Sequence, residues 1–172
     1  MDVNIRQATD ADIKELSALA TKTWLDAFGD QFSEEERKRR CEKNRSETYF
    51  EAALKRDIIL VAEEDKALIG YVEFGPPNLS IFEILDGDQE LTRLYVLGDR
   101  QRQGIGTALL NAALAHPQMQ RATNIYIDVL EKNEGAIRLY QRYGFVDTGY
   151  KNAGGDNIMI RRAVWLDEPR TR

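Results

Sequence analysis

The chain has very few of the residues that build disulfide frameworks and zinc sites. Its 172 residues include one cysteine, Cys41, and one histidine, His116. One cysteine cannot form an internal disulfide, and a single Cys/His pair does not make a full set of structural zinc ligands. The composition therefore predicts a protein without a metal site that works in a reducing compartment, the cytoplasm.

Long apolar runs and an excess of positive charge are also missing. The longest uncharged segment, 103–120, contains Asn, Gln, His and Pro, which do not fit the hydrocarbon core of a membrane. Residues 1–12 carry charges and no apolar run, unlike a secretory signal. The 24 basic and 29 acidic residues give a net charge of −5. This balance argues against general nucleic-acid binding and mildly favours cationic partners.

Hydrophobic patterning predicts one mixed α/β domain over residues 1–172, with no linker and no repeat. Helical spacing of apolar residues, together with capping residues, predicts helices that begin near residues 10, 34, 47, 105 and 134. Alternating or continuous apolar segments predict strands at 3–7, 58–62, 68–74, 91–97, 124–130, 145–150 and 158–164.

The most informative segment, 94–110, reads as a strand, a glycine-bearing turn and a helix. Gly104 and Gly106 have no Cβ, so a ligand can approach the backbone closely. The first N–H groups of a helix have no internal partner, and the helix dipole favours negative charge there. The segment predicts a pyrophosphate site, with Arg100 and Arg102 adding charge at its rim. A helix start packed tightly on a strand explains the same pattern without a ligand.

A second strand, turn and helix follow at 129–145. Asn133 is the predicted N-cap of the helix, because its side chain can accept from an unpaired N–H of the first turn. Tyr140 lies two turns along this helix.

Two motifs, in this order, resemble the GCN5-related N-acetyltransferase (GNAT) superfamily. The pattern Q-x-x-G-x-G at 101–106 is similar to its acetyl-CoA pyrophosphate loop, and N-x-x-A-x-x-L-Y-x-x-x-G-F at 133–145 is similar to its second motif. Residues 5–9 also look like its first strand. The resemblance covers nearly the whole chain. It implies the acyl-CoA N-acyltransferase fold, a mixed, mostly antiparallel splayed sheet flanked by helices.

The resemblance implies acetyl-CoA as co-substrate, with pantetheine along the backbone of strand 91–96 and pyrophosphate on the amides of the turn. Position 102 is Arg where the family often has Gly, and we expect its backbone to avoid positive φ. The N–H of Val96 is the expected oxyanion donor. The implied cofactor-binding residues are Leu94, Tyr95, Val96, Gln101, Arg102, Gln103, Gly104, Ile105, Gly106, Thr107, Asn133, Tyr140 and Arg142.

Acetyl transfer to an amine needs a base for the ammonium proton and an acid for the departing thiolate. The resemblance implies Glu90 as base, and a solvated carboxylate at a strand end is the alternative reading. It implies Tyr140 as acid, and a packed aromatic is the alternative. Because no histidine lies near Cys41 in sequence, we expect direct attack in a ternary complex and no acyl-enzyme. The reserve candidates for the base are Asp88, Glu83, Glu73 and Asp128, the last expected at the surface.

The predicted acceptor is a small cationic amine such as a polyamine. Segments 23–28 and 154–159 resemble bacterial spermine/spermidine acetyltransferases, and the acidic residues Asp86, Asp88 and Glu90 suit a cationic substrate. A solvated acidic loop explains the same residues. Two other functions stay open: an acetyltransferase for a protein lysine or N-terminus, and a non-catalytic acetyl-CoA-binding regulatory module. A homodimer is compatible with the resemblance.

Overall fold

The computed structural model describes residues 2–79 and 83–162. The strands in these ranges are β1 Asn4–Gln7, β2 Ile58–Glu64, β3 Ala67–Gly75, β4 Gln89–Val96, β5 Asn124–Val129, β6 Val146–Lys151 and β7 Asn157–Arg162. The helices are α1 Ile13–Phe28, α2 Glu34–Arg45, α3 Glu47–Arg56, α4 Ile105–Ala115, α5 Pro117–Gln120 and α6 Glu134–Arg142. Each predicted element is present with shifted ends, and positions 163 and 164 of the last predicted strand lie outside the described residues.

The strands form a mixed sheet in the order β1-β2-β3-β4-β5-β7-β6. The pairs β1–β2, β2–β3, β5–β7 and β6–β7 are antiparallel, whereas β4 and β5 are parallel, with Gln89 opposite Ile125 and Glu90 opposite Tyr126. Helices α3 and α4 pack against β2. The predicted fold class, a mixed and mostly antiparallel sheet flanked by helices, is confirmed.

Contacts within the chain divide it into two compact units that interleave in sequence. Of the described residues, unit 1 contains 2–74 and 93–115, and unit 2 contains 75–79, 83–92 and 116–162. Strand β4 contributes its first four residues to unit 2 and its last four to unit 1. The single-domain organisation stays a prediction.

The core of unit 1 is built on the apolar face of α1. Leu16 and Ala20 are fully buried and pack with Phe50 of α3 and with Val61 and Tyr71 of the sheet. Their helical spacing turns one face of the segment inward, and each large buried side chain stabilises the fold by roughly 1.5–3 kcal/mol. The predicted apolar stripe therefore positions α1 against the sheet.

The turn between β2 and β3 is shorter than predicted. The sequence places it at 63–66, but β2 continues through Glu64. Only Asp65 and Lys66 form the turn, with φ of 50° and 66°. Positive φ at both central residues fits the right-handed twist of a two-residue hairpin, and this allows the strand pairing to continue to the turn.

Unit 2 has its own small core and clear helix ends. Leu79, Tyr126 and Ile158 form a buried cluster. His116 is the N-cap of α5, where its Nδ1 accepts a hydrogen bond from the Gln118 N–H at 3.2 Å.

A nearly buried carboxylate, Asp12, links the end of β1 to the start of α1. Arg6 donates to Oδ1 and Oδ2 of Asp12 at 2.8 and 2.9 Å, and the N–H of Thr9 donates to Oδ2 at 2.8 Å. These bonds, above all those from Arg6, lower the pKa of Asp12 from 3.8 to about 2. Since the folded-state pKa is the lower one, the stabilisation is complete above the unfolded-state pKa and is lost as the pH falls through about 2.

Asp12→Asn should therefore destabilise the protein in a pH-dependent way. We expect the free energy of unfolding to fall by about 2 kcal/mol at pH 7, with most of this difference gone near pH 2. Urea unfolding at the two pH values measures it. Asp26→Asn is the control, because its exposed ion pair with Lys22 contributes little. A deficit of equal size at both pH values would contradict the assigned charge interaction.

Candidate functional site

In unit 1, the end of β4 leads through a turn into α4. Side-chain hydrogen bonds fix this turn: Nε2 of Gln101 donates to the Val96 carbonyl at 3.2 Å, and Nε2 of Gln103 donates to the Asp99 carbonyl at 3.1 Å. Two of the predicted ligand-binding residues therefore hold the turn through their side chains, and the Gln101 N–H adds a hydrogen bond to the Gly98 carbonyl at 3.4 Å.

The backbone is open at Gly104. This residue has φ of +83°, and a Cβ there would meet no atom within 4 Å, whereas a Cβ on Gly106 would lie 3.8 Å from the Val96 side chain. The N–H of Ala108 bonds to the Gly104 carbonyl at 2.9 Å and so closes the first turn of α4. The N–H groups before it have no acceptor within a helix. Open space beside these donors fits the pyrophosphate of acetyl-CoA.

The two arginines of the turn differ from the prediction. The guanidinium of Arg100 is 2.7 Å from the carboxylate of Glu64, which is 7% exposed, so the charge of Arg100 is neutralised within unit 1. Arg102 has φ of +61°. The expectation that Arg102 avoids positive φ is wrong. A left-handed backbone conformation costs a residue with a side chain roughly 1–2 kcal/mol, whereas glycine adopts it at almost no cost.

Strand β4 presents the rest of the predicted unit 1 site. Leu94, Tyr95 and Val96 are half-buried, and the ring of Tyr95 stacks on that of Tyr71 with centroids 5.9 Å apart. Ile105 is buried, so only its backbone can serve a ligand. Gln101, Arg102, Gln103, Gly104 and Thr107 are exposed.

In unit 2, Glu90 is held by a loop. It is 5% exposed, and its Oε2 accepts a hydrogen bond from the Asn78 N–H at 2.7 Å. Its neighbour Asp88 is 3% exposed and accepts from Asn124 at 2.8 Å and from the Leu85 N–H at 2.9 Å. The alternative interpretation of these two carboxylates as a solvated acidic loop is therefore wrong.

Helix α6 carries three predicted residues. The side chain of Asn133 accepts from the Ala136 N–H at 3.2 Å, so it is the N-cap that the sequence predicts. Tyr140 is 6% exposed, and its ring meets that of Phe145 edge-on at 5.8 Å between centroids. Arg142 is exposed. The predicted site residues of unit 2 are thus Glu90 on β4, Asn133 at the N-cap of α6, and Tyr140 and Arg142 within α6.

Of the reserve candidates for the base, Glu73 is a buried carboxylate whose oxygens both accept hydrogen bonds from side chains. It is fully buried in unit 1, where Tyr49 donates to its Oε1 at 2.6 Å and Arg93 to its Oε2 at 2.9 Å. Burial raises the pKa of Glu73, an effect that Arg93 opposes. The partners Tyr49 and Arg93 were not predicted, because nothing in the local sequence pairs residues so far apart.

The structure also places three further residues that the sequence analysis singles out. Asp128 is half-buried and accepts a hydrogen bond from Asn152 at 2.6 Å, so it is not the surface residue that we expected. Glu83, another reserve carboxylate, is exposed. Cys41 is partly exposed on α2, in a groove of unit 1 that also contains Arg37 and Lys38.

A family comparison decides what kind of protein this is. Residues 15–145 match the model of the acetyltransferase (GNAT) family. The chain belongs to the GNAT acetyltransferase family. The predicted family and enzyme class are confirmed. The matched range contains the whole of both motifs, 101–106 and 133–145.

Relatives of this GNAT chain differ in the acceptors that their names state. A spermine/spermidine N(1)-acetyltransferase of Bacillus subtilis is 30% identical over 100 residues, which are 55% of this chain and 62% of that protein. An N-alpha-acetyltransferase of Sulfurisphaera tokodaii is 37% identical over 90 residues, 49% of this chain and 54% of that protein. The chain thus matches less than two thirds of the length of either relative.

A solved GNAT structure supports the fold. The PaiA N-acetyltransferase of Thermoplasma acidophilum, in complex with coenzyme A, has a TM-score of 0.79 and 23% identity to this chain. The alignment covers 94% of this chain and 99% of that one. Across the described residues, no helix is both long and apolar enough to cross a bilayer.

Proposed function

We propose that this GNAT protein transfers the acetyl group of acetyl-CoA to a primary amine. The observation that carries the proposal is the open backbone at Gly104, directly before the first turn of α4. Main-chain donors at a helix start, with no side chain in front of them, suit a pyrophosphate group. Membership in the acetyltransferase family and the coenzyme A complex of the Thermoplasma relative support the same co-substrate.

The proposed cofactor-binding residues keep the assignment made from the sequence. Backbone groups of the 101–107 turn hold the pyrophosphate, and backbone groups of 94–96 hold the pantetheine arm. Asn133 organises the start of α6 through its cap, and Arg142 adds an exposed positive charge at the end of that helix.

Two side chains of unit 2 carry the proposed proton transfers. An alkylammonium has a pKa near ~10, so it must lose a proton before its nitrogen can attack the thioester carbonyl. Glu90 accepts that proton, directly or through water, and the Asn78 N–H holds its carboxylate in place. The new C–N bond forms as the C–S bond breaks, and Tyr140 donates its phenolic proton to the departing sulfur. The nitrogen then releases its second proton, which restores the phenol of Tyr140 directly or through water and leaves the neutral amide. Acetyl-CoA supplies the acetyl group as a thioester.

The named relatives differ in the acceptor, so the comparisons do not choose one acceptor for this chain. The Bacillus relative favours a polyamine, and the Sulfurisphaera relative favours an N-terminal amine. The acidic loop offers less support to a polyamine than the sequence suggests, because Asp88 and Glu90 are buried and hydrogen-bonded within unit 2. Asp86 alone of the three is exposed.

The proposed activity is tested by release of CoA thiol from acetyl-CoA. The acceptors are spermidine, spermine, a lysine peptide and a peptide with a free N-terminus. Release with at least one amine, matched by the acetylated product in mass spectrometry, is the expected result. Acetyl-CoA that binds without acetylating any amine would favour the regulatory module, and absence of binding would contradict the co-substrate itself.

Glu90→Gln should slow the reaction without unfolding the protein. We expect kcat/KM for the amine to fall by roughly 100-fold or more, because the amide cannot accept the ammonium proton. The loss should shrink as the pH rises, since more of the amine is then neutral. Asp88→Asn is the matched control: it removes a neighbouring buried carboxylate and should lower Tm without changing the pH profile. An unchanged rate in Glu90→Gln would contradict its role as base.

A further inference from the structure

An ion pair joins the turn between β4 and α4 to a distant part of unit 1. Arg100 ends the short 3₁₀ helix at the start of this turn, and its guanidinium is 2.7 Å from Oε2 of Glu64, the last residue of β2. Directly before the turn, the Leu97 N–H donates to the Ile69 carbonyl of β3 at 2.9 Å. Across the described residues, no other ion pair joins 98–104 to another element. The β2–β3 hairpin therefore anchors the turn.

The other side-chain bonds of the turn are local and exposed. Those of Gln101 and Gln103 reach carbonyls no more than five positions away. Water competes for exposed hydrogen bonds, so each contributes little to holding the turn. The carboxylate of Glu64 is only 7% exposed, so its attraction for Arg100 is screened much less. The Arg100–Glu64 pair is thus the side-chain contact best placed to fix the turn on the sheet.

The turn also contains strained backbone that needs such support. Arg102 has φ of +61°. A residue with a side chain keeps this conformation only where the surrounding structure imposes it. The Arg102 side chain is exposed and forms no ion pair with any described residue, so it does not hold itself in place. The conformation is therefore imposed from the two ends of the turn, by α4 after it and by Arg100 before it.

We infer that Glu64 is a positioning residue for acetyl-CoA: through Arg100, it holds the turn in the conformation that presents its N–H groups to the pyrophosphate. The inference rests on the proposed pyrophosphate site and adds to it a residue of the β2–β3 hairpin. It also changes the role of Arg100, which the sequence predicts as a charge for the phosphate groups. In the opposite arrangement, Arg100 binds a phosphate and Glu64 only competes for it.

Glu64→Gln distinguishes the two arrangements by the sign of its effect on binding. If Glu64 positions the turn, its loss lets the turn adopt other conformations, and the apparent Kd rises as the binding-competent fraction falls. We expect titration calorimetry to give a Kd for CoA roughly 10-fold higher than in the wild type. Glu64→Asp keeps the charge and should recover part of the affinity. A lower Kd in Glu64→Gln would mean that Arg100 is freed to bind a phosphate, which would overturn the inference.

Two further comparisons test the route of the effect. If Glu64 acts through Arg100, the double variant Glu64→Gln/Arg100→Gln should bind CoA no more weakly than the weaker single variant. Additive losses would contradict that route. S-Acetylpantetheine lacks the pyrophosphate, so its kcat/KM as acetyl donor should be the same in Glu64→Gln as in the wild type. A loss as large as that for acetyl-CoA would contradict positioning of the pyrophosphate turn.

The controls remove other carboxylates that pair with arginine in unit 1. Glu63 and Asp12 lie 2.6 and 2.8 Å from the guanidinium of Arg6, which is on β1. Glu63→Gln, in the same strand as Glu64, and Asp12→Asn should lower Tm and leave the Kd for CoA unchanged. If the Kd rises in them as much as in Glu64→Gln, the effect is a general loss of stability and the inference is wrong.

Hydrogen exchange tests the positioning without a ligand. The N–H groups of residues 98–104 should exchange faster in Glu64→Gln than in the wild type, and at the wild-type rate in Glu63→Gln. If the wild type binds no CoA but exchange in the turn still depends on Glu64, the anchor stands and the proposed function fails. If the wild type binds CoA and neither exchange nor Kd changes in Glu64→Gln, the proposed function stands and the inference is wrong.

Discussion

Gly104→Glu should remove measurable acetyl-CoA binding while the protein stays folded. A Cβ at this position meets no atom, so the longer side chain enters the space that we assign to the pyrophosphate. The new carboxylate also brings negative charge to the helix start, where it repels the pyrophosphate and competes with it for the same N–H groups. Loss of charged hydrogen bonds and like-charge repulsion together should weaken binding by at least roughly 100-fold. Titration calorimetry with acetyl-CoA measures the Kd.

The backbone strain of this substitution needs its own control. Gly104 has φ of +83°, where any residue with a Cβ is destabilised. Gly155 has φ of +89° and equally open surroundings, but it lies in the turn before β7 in unit 2. Gly155→Glu should therefore lower Tm to a similar extent and leave the Kd for acetyl-CoA unchanged. Retained affinity in Gly104→Glu would show that the pyrophosphate lies elsewhere.

Local patterns in the sequence predicted those features of this protein that depend on neighbouring residues. The cap at Asn133 and the helix start after Gly104 follow from side-chain and backbone chemistry within a few positions, and the structure has both. The apolar spacing of α1 likewise determines which face packs on the sheet.

Contacts between residues that are distant in the chain could not be predicted from the sequence. The burial of Asp88 depends on Asn124, and that of Glu73 on Tyr49 and Arg93, so an acidic residue that looks solvated in sequence becomes an internal hydrogen-bond acceptor. The positive φ of Arg102 was missed for another reason. A side chain disfavours this conformation locally, and the path of the turn imposes it.

This distinction matters for the candidate site, because its two halves were predicted with different kinds of information. The proposed pyrophosphate turn is a local structure, and its open backbone could be predicted from the glycines before a helix. The proposed base Glu90 and Asn78 are 12 positions apart, and only the folded chain brings the Asn78 N–H to the Glu90 carboxylate. The setting of the proposed base is therefore the property for which the structure adds most to the sequence.

Tyr140→Phe should lower kcat with little change in acetyl-CoA affinity. Phenylalanine keeps the buried ring and its edge-on contact with Phe145, so the packing of α6 is preserved and only the hydroxyl is lost. A general acid contributes roughly 100- to 10,000-fold to a proton transfer, and we expect a loss of kcat in this range. Steady-state kinetics with the accepted amine, together with the Kd for acetyl-CoA, separates chemistry from binding.

The control for Tyr140→Phe is Tyr143→Phe, which removes a hydroxyl from the end of the same helix, where the tyrosine is half-buried. It should leave kcat within about twofold of the wild type, because the hydroxyl of Tyr143 has no part in the proposed proton transfers. A thioester analogue whose thiolate leaves without protonation should also narrow the gap between Tyr140→Phe and the wild type, because the acid is then not needed. If kcat is unchanged in Tyr140→Phe, the ring is a packing residue and the thiolate takes its proton from solvent. If kcat and acetyl-CoA affinity fall together, the hydroxyl holds the co-substrate and its role as acid is wrong.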